Sequence, residues 1–265
     1  MTGWGSEAAD SAGLPWAGRT LPSGAPADDG RADPAVRQAL AACGSPARPA
    51  ESGDLLAAAV ELLLAARLLV PVVAVVAGDA VPSHRPDRAA GDSGAEMSVP
   101  LLGMPGAGRA LPAFTGVDAL AAWDTAARPV PAAAPLVART ALEEGCAALA
   151  LDPAGPAPLH VPHPVLVALA QGRAWVPAWR DDAVAAALAS ACTRLGAGVP
   201  ALRGLAAAAA ADPCGLAVRV LLEPGLPALA VDDAVSSVTG ELAQDETVVA
   251  AVTSLAVVVE AAPGG

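Results

Sequence analysis

A strand-to-helix transition near the middle of the chain constrains the fold more than any other feature of the sequence. The stretch Arg109 to Asp124 reads R-A-L-P-A-F-T-G-V-D-A-L-A-A-W-D. Its first six residues alternate well enough to predict a short strand. Thr115 then fits a helix N-cap, and Asp118 completes the Ser/Thr-x-x-Asp/Glu pattern of a capping box. We expect Phe114 and Trp123 to anchor the core, with Thr115 and Asp118 fixing the turn.

The core of such a fold has to be built almost entirely from small aliphatic side chains. The sequence contains no Lys, Asn, Ile or Tyr and only one Phe, although 54% of its 265 residues are hydrophobic. Those missing residues have AT-rich codons, so the bias indicates a GC-rich genome rather than a functional need. We predict an α/β to α+β fold in which helices flank a mixed β-sheet, followed by a smaller α+β unit at the C-terminal end.

The charges and cysteines exclude several classes of protein. The net charge is −12, and the 15 basic residues, all Arg, are scattered singly, so we expect no nucleic-acid partner. Residues 1–7 lack the basic and apolar regions of a signal peptide, and the cysteines are too widely spaced for a disulfide framework. We therefore expect a cytoplasmic protein with four reduced cysteines, Cys43, Cys146, Cys192 and Cys214.

One apolar stretch, residues 55–77, is as long as a membrane span, which needs about 20 apolar residues. It contains Glu61 and Arg67, and Pro71 interrupts it. A charge near the bilayer centre costs about 2.5–3.5 kcal/mol. A buried helix followed by a buried strand explains the same residues, so we expect no membrane segment.

The order of the predicted elements divides the chain into four parts. Residues 1–32 are rich in Gly, Ser, Pro and Asp without periodicity, and we predict a disordered or loosely docked tail. Residues 33–180 are predicted to form the α/β domain and residues 181–198 a linker helix. Residues 199–262 are predicted to form the smaller α+β domain.

Two strand predictions in the larger domain depend on proline and glycine. The valine-rich run 68–76 is predicted to be a central strand, with Pro71 near its start or beside a bulge, because proline cannot donate to the ladder. Residues 97–102 and 110–114 are predicted to pair as a hairpin around the glycine-rich segment 103–108.

Residues 91–94 read G-D-S-G, as around the nucleophile of trypsin-like proteases. Such a site needs a His base and an Asp orienter from distant parts of a β-barrel. Here His84 is the only histidine before Ser93 and lies in the same loop. We interpret the motif as coincidental. The alternative is a hydrolase-like enzyme that uses the 78–95 loop through His84, Asp92 and Ser93.

His160 and His163 flank Pro162 and are the candidates for metal ligands. A zinc site needs three or four ligands, and no cysteine lies within ten residues of this pair. A histidine at a strand end and another at a helix start explain both positions. We therefore predict neither a metal nor a cofactor, and no catalytic residues.

The order of several segments is similar to a known family. The segments are L-L-V-P-V-V (68–73), M-S-V-P-L-L (97–102), R-A-L-P-A-F-T (109–115), A-L-A-A-W (119–123), L-A-L-D-P-A-G (149–155) and A-L-A-Q-G (168–172). The chain resembles the SseB family, named for enhanced serine sensitivity, over about residues 34–179, with a weaker C-terminal resemblance over 199–262. The resemblance implies an α/β domain of poorly known function, with no catalytic residues to carry over. His160 stands where an aliphatic residue would be usual.

The absence of a nucleophile–base pattern favours a protein that binds rather than reacts. We expect a non-catalytic, cytoplasmic SseB-like protein that binds a protein partner or a small metabolite. One alternative is the hydrolase-like use of residues 78–95. The other is a homo-oligomeric scaffold that self-associates through the segment around Trp16 or through the C-terminal unit.

Overall fold

The computed structural model describes residues 29–45, 49–75, 96–104 and 108–262. The G-D-S-G loop, the Trp16 segment and nearly all of the predicted tail lie outside these residues. All the elements that follow belong to one unit of the chain, Ala32–Gly265. In order they are α1 (Pro34–Cys43), α2 (Pro49–Leu64), β1 (Arg67–Val75), β2 (Glu96–Ser98), β3 (Leu102–Met104), β4 (Gly108–Ala113), α3 (Val117–Trp123), β5 (Arg128–Ala133), α4 (Ala134–Glu143), β6 (Ala148–Leu151), β7 (Leu159–Pro162), α5 (His163–Ala170), a 3₁₀ turn (Ala178–Arg180), α6 (Asp182–Leu195), β8 (Leu202–Ala209), β9 (Leu216–Leu222), α7 (Ala228–Leu242), α8 (Glu246–Ala251) and β10 (Leu255–Ala261).

The N-terminal half contains two sheets that meet at Phe114. One has the order β2-β1-β5 and the other β3-β4-β6-β7. In the second sheet β4 and β6 run parallel, whereas the outer pairs are antiparallel. Leu69 of β1 and Phe114 join the sheets by reciprocal N–H···O bonds of 2.8 and 2.9 Å. The predicted central position of β1 and the mixed sheet are therefore confirmed.

The C-terminal half has a separate sheet with the order β10-β9-β8. β8 and β9 are antiparallel, and β10 runs parallel to β9. Its core consists of aliphatic side chains from these strands and from α6, α7 and α8. Mixed sheets with flanking helices, followed by this smaller unit, confirm the predicted α+β fold. The domain boundaries themselves remain a prediction.

The expected position of Pro71 is wrong, because it lies in the middle of β1 rather than at its start or at a bulge. Its register partner is Pro129 of β5, and Pro131 lies opposite Leu69. Leu69 directs its backbone groups away from β5, towards Phe114. Pro71, two residues on, has the same orientation, so its missing N–H costs no bond to β5. The proline-rich strand β5 was not anticipated.

The predicted hairpin is also only partly correct. The segment 97–102 is split, since β2 pairs with β1 and the hairpin partner of β4 is the short strand β3. The turn at 105–107 lies outside the described residues. Pro100 separates β2 from β3, and a proline cannot supply a ladder N–H where a single continuous strand would need it.

The capping box at Thr115 is wrong as well. Helix α3 begins at Val117 with Gly116 in the N-cap position, and no side chain caps it. Thr115 instead bonds to Asp152, and Asp118 forms a 2.8 Å ion pair with Arg37 of α1. The local spacing predicts the helix correctly. The side chains of Thr115 and Asp118, however, bond to Asp152 and Arg37 and do not cap it.

Candidate functional site

Two adjoining cavities meet at His160 on the edge strand β7. The first, of about 290 Å³, has apolar walls from α1, α2, β7 and the β8–β9 loop. The second, of about 270 Å³, lies between the start of α5 and α8. Both are lined by His160, Pro162 and Thr253. We call the pair of cavities the His160 groove. Its walls come from both halves of the unit, because Asp212 and Thr253 belong to loops around the C-terminal sheet.

The C-terminal wall of the His160 groove is held by the carboxylate of Asp212. One oxygen accepts a 3.0 Å bond from the backbone N–H of Cys214. The other accepts bonds from the hydroxyls of Thr253 and Ser254, the latter at 3.0 Å. These bonds tie the β8–β9 loop to the loop before β10. An added Cβ at Gly215 would come within 2.5 Å of the Ser254 hydroxyl oxygen, so this close approach requires glycine.

Burial disfavours the thiolate form of both cysteines in the first cavity, Cys43 and Cys214. Burial raises the pKa of the Cys43 thiol. Burial, together with the nearby Asp212 carboxylate, raises the pKa of the Cys214 thiol to about 12. Nucleophilic attack and metal ligation need the thiolate, which neither cysteine forms readily at neutral pH. The lining of this cavity supplies mainly apolar contact, together with the polar groups of Ser52, His160 and Thr253.

The structure brings His160 and His163 to the same groove. His160 is exposed on β7 and lines both cavities, whereas His163 begins α5 and lines the second. No group of three His, Cys, Asp or Glu side chains within the described residues could hold a metal ion. His160 makes no hydrogen bond to Asp212 or Thr253, although all three line the first cavity. In the described chain these groups do not form a nucleophile–base pair.

A second polar cluster joins Thr115 to Asp152 away from the groove. The Asp152 carboxylate accepts a 2.8 Å bond from the Thr115 backbone N–H and a 2.7 Å bond from its hydroxyl. Asp152 is 8% exposed, and burial raises the pKa of its carboxyl while the Thr115 bonds offset part of this rise. Neither residue lines the His160 groove, and the cluster holds the loop after β6 against the end of β4.

The remaining predicted anchors surround this cluster. Phe114 is fully buried, and its ring centroid lies 5.4 Å from that of Trp123, with the rings tilted by 40°. Trp123 is only half-buried and closes a small cluster with Leu69 and Leu120. Sequence reasoning missed Asp152 and Asp212 as positioning residues. The available signal was the same in both, an Asp-Pro dipeptide followed by a glycine in a turn between strands.

Comparison with known proteins identifies the family. The family model described as SseB protein N-terminal domain matches residues 36–168, half of the chain. The match runs from α1 into α5 and includes His160 and the Thr115–Asp152 pair. The chain belongs to the SseB family. No curated protein and no solved structure gives a significant match. The C-terminal resemblance over 199–262 lies outside the matched residues and remains a prediction.

Proposed function

We propose that this member of the SseB family is a binding protein that holds an extended segment of a partner protein in the His160 groove. The observation that carries the proposal is the pair of adjoining, mainly apolar cavities that meet at His160. Two cavities along one edge strand suit a chain whose apolar side chains point alternately into the groove.

The chemistry of the groove supports binding rather than catalysis. Its thiols are held protonated by burial, and Asp212 already accepts three hydrogen bonds from neighbouring loops. A general base has to reach the proton of a nucleophile, and among the described residues His160 makes no hydrogen bond to a hydroxyl or thiol of the groove. The hydrolase-like alternative rests on His84, Asp92 and Ser93, which lie outside the described residues.

A protein segment fits this groove better than a small metabolite does. Each cavity alone is at or below the lower end of the range for small-molecule sites, which is about 300–1,000 Å³. Both cavities open to solvent and share only two polar side chains, His160 and Thr253, at their junction. An extended segment can place one apolar side chain in each cavity and a backbone carbonyl near the imidazole N–H.

Selection of random linear peptides on the immobilised full-length protein tests the proposal. We expect enriched peptides to carry two apolar residues separated by one position. The variant His160→Trp, which fills the junction of the two cavities, should weaken their binding about tenfold, or about 1.4 kcal/mol. Fluorescence polarisation with labelled peptides measures this change.

Arg139→Trp is the matched control, because Arg139 is an exposed position of α4 that does not line the groove. This variant should bind the selected peptides as the wild type does. Selection that enriches no peptide would argue against the proposed ligand class. Equal weakening by both variants would argue against the site.

A further inference from the structure

Among the described residues, the strand β10 is a sheet edge with no second strand paired to it. It is seven residues long, reads L-A-V-V-V-E-A, and contains neither proline nor a bulge. Among the described strands it pairs with β9 alone. Val258 and Val259 are 44% and 43% exposed. A long, apolar, unpaired edge is a template for pairing with another chain.

The other sheet edges of the described structure are protected. β5 carries Pro129 and Pro131, whose missing N–H groups lie on its free side. β2 and β3 have three residues each, and β7 has four and ends in a proline. β8 has an irregular register between Leu202 and Gly204, and such a bulge is one of the devices that blunt a sheet edge. The exception at β10 therefore needs an explanation of its own.

The backbone of β10 has a full set of groups on its free side. Leu216 N–H bonds to Ser254 O, and Ala262 N–H bonds to Leu222 O, so the even-numbered residues face β9. In a parallel ladder the alternate residues then point outward. The N–H and C=O groups of Leu255, Val257, Val259 and Ala261 are therefore available to a second strand.

We propose that β10 pairs antiparallel with β10 of a second copy of this chain across a twofold axis at Val258. Val258 is the centre of the strand, so this register overlaps all seven residues and pairs each outward residue with an outward residue. Val257 lies opposite Val259 of the second copy, and Leu255 lies opposite Ala261. Because the interface is isologous, it closes as a dimer and does not propagate.

The charge pattern of the strand favours a second copy as the occupant. Glu260 is the only charged residue of β10, and Arg219 of β9 lies 3.8 Å from its carboxylate. In the proposed register each Glu260 lies opposite Ala256 of the other copy, so the two carboxylates are at opposite ends of the interface. The central contacts are between valines. Although each chain carries a net charge of −12, the proposed interface therefore brings few like charges close together.

Sedimentation velocity of the full-length protein across a micromolar concentration series tests the pairing. We expect the wild type to approach twice the mass of a single chain. Val258→Lys places two like charges directly opposite each other and should leave a monomer. Leu229→Lys is the matched control, because Leu229 is 72% exposed on α7 of the same half, and it should remain dimeric. A monomeric wild type, or a Val258→Lys protein that still dimerises, would overturn the proposal.

A charge pair at Ala256 tests the register without removing any apolar contact. Ala256→Lys would face Glu260 of the second copy twice per dimer, and Ala256→Glu would oppose it twice. Cross-strand pairs of this kind predict a dimer Kd that is tighter for the Lys variant and weaker for the Glu variant, each by about two- to thirtyfold. Equal dissociation constants for the two variants would rule out this register.

Discussion

The carboxylates of Asp152 and Asp212 fix loops through the same kinds of hydrogen bond, but Asp152 is buried whereas Asp212 is only half-buried. Each follows a strand and precedes a proline, and each accepts a backbone N–H and a threonine hydroxyl. Asp152 is buried, and both groups that donate to its carboxylate belong to the buried residue Thr115. Asp212 is half-buried, lines a cavity, and takes its partners from two loops.

The difference between these two aspartates separates a structural role from a site-shaping role. Around Asp152 the neighbouring groups are Phe114, the end of β4 and the loop after β6, and Asp152 does not line the groove. Around Asp212 the same kind of bonding fixes the wall of the His160 groove. Since a hydrogen bond is expensive to lose only where water cannot replace it, the two sites should respond very differently to the same substitution.

Asp152→Ala is expected to have the largest effect. It leaves the amide and the hydroxyl of Thr115 without an acceptor in a buried setting, at about 1–3 kcal/mol for each group. Removing the buried carboxylate also removes its own desolvation cost, so we expect the free energy of unfolding, measured by urea denaturation at neutral pH, to fall by about 2–4 kcal/mol rather than by the full sum. A loss below about 1 kcal/mol would mean that water reaches Thr115. A cycle with Thr115→Val should show strong coupling, because the two residues act as one unit.

A pH dependence of smaller size follows from the same carboxyl. Burial raises the pKa of Asp152 in the folded protein above its ordinary value. The folded state then binds the proton more strongly than the unfolded chain, so ionisation costs stability at neutral pH and this cost vanishes as the pH falls through the folded-state pKa. Relative to Asp152→Asn, the wild type should gain stability between about pH 7 and pH 4. A constant or falling difference in urea-determined stability would contradict the raised pKa.

Much of the fold follows from patterns that act locally. The strand β4, the helix α5 with proline in its first turn, and the helix α6 after Asp181 all obey periodicity and capping rules. The errors arise where a tertiary partner competes with a local rule. Thr115 fits an N-cap by spacing, but its hydroxyl bonds to the Asp152 carboxylate instead of the start of α3. A buried carboxylate without a hydrogen bond would cost more than an uncapped helix start that water can reach.

The candidate site could be predicted only in part. His160 and His163 stand out because the chain has three histidines in total. The opposite wall cannot be predicted from local sequence, because Asp212 and Thr253 are 41 residues apart and both are distant from β7. β5 was missed because of its own sequence: alternate prolines are typical of a loop. They are compatible with a strand here because the antiparallel register places the positions of their missing N–H groups on the free side of the sheet.

Asp212→Ala is the smallest of the three effects and the sharpest test of the comparison. The hydroxyls of Thr253 and Ser254 are exposed and can turn to water, so the main loss is the acceptor of the Cys214 N–H. We expect the free energy of unfolding to fall by only about 0.5–1.5 kcal/mol. The same change frees two loops that form one wall of the His160 groove, so peptides selected on the wild type should bind this variant more weakly. At Asp152→Ala the order should reverse, with a large loss of stability and unchanged peptide affinity in the fraction that remains folded. Equal stability losses at the two positions would mean that burial is not what distinguishes them. Unchanged peptide binding by Asp212→Ala would mean that the loops held by Asp212 do not contribute to peptide binding.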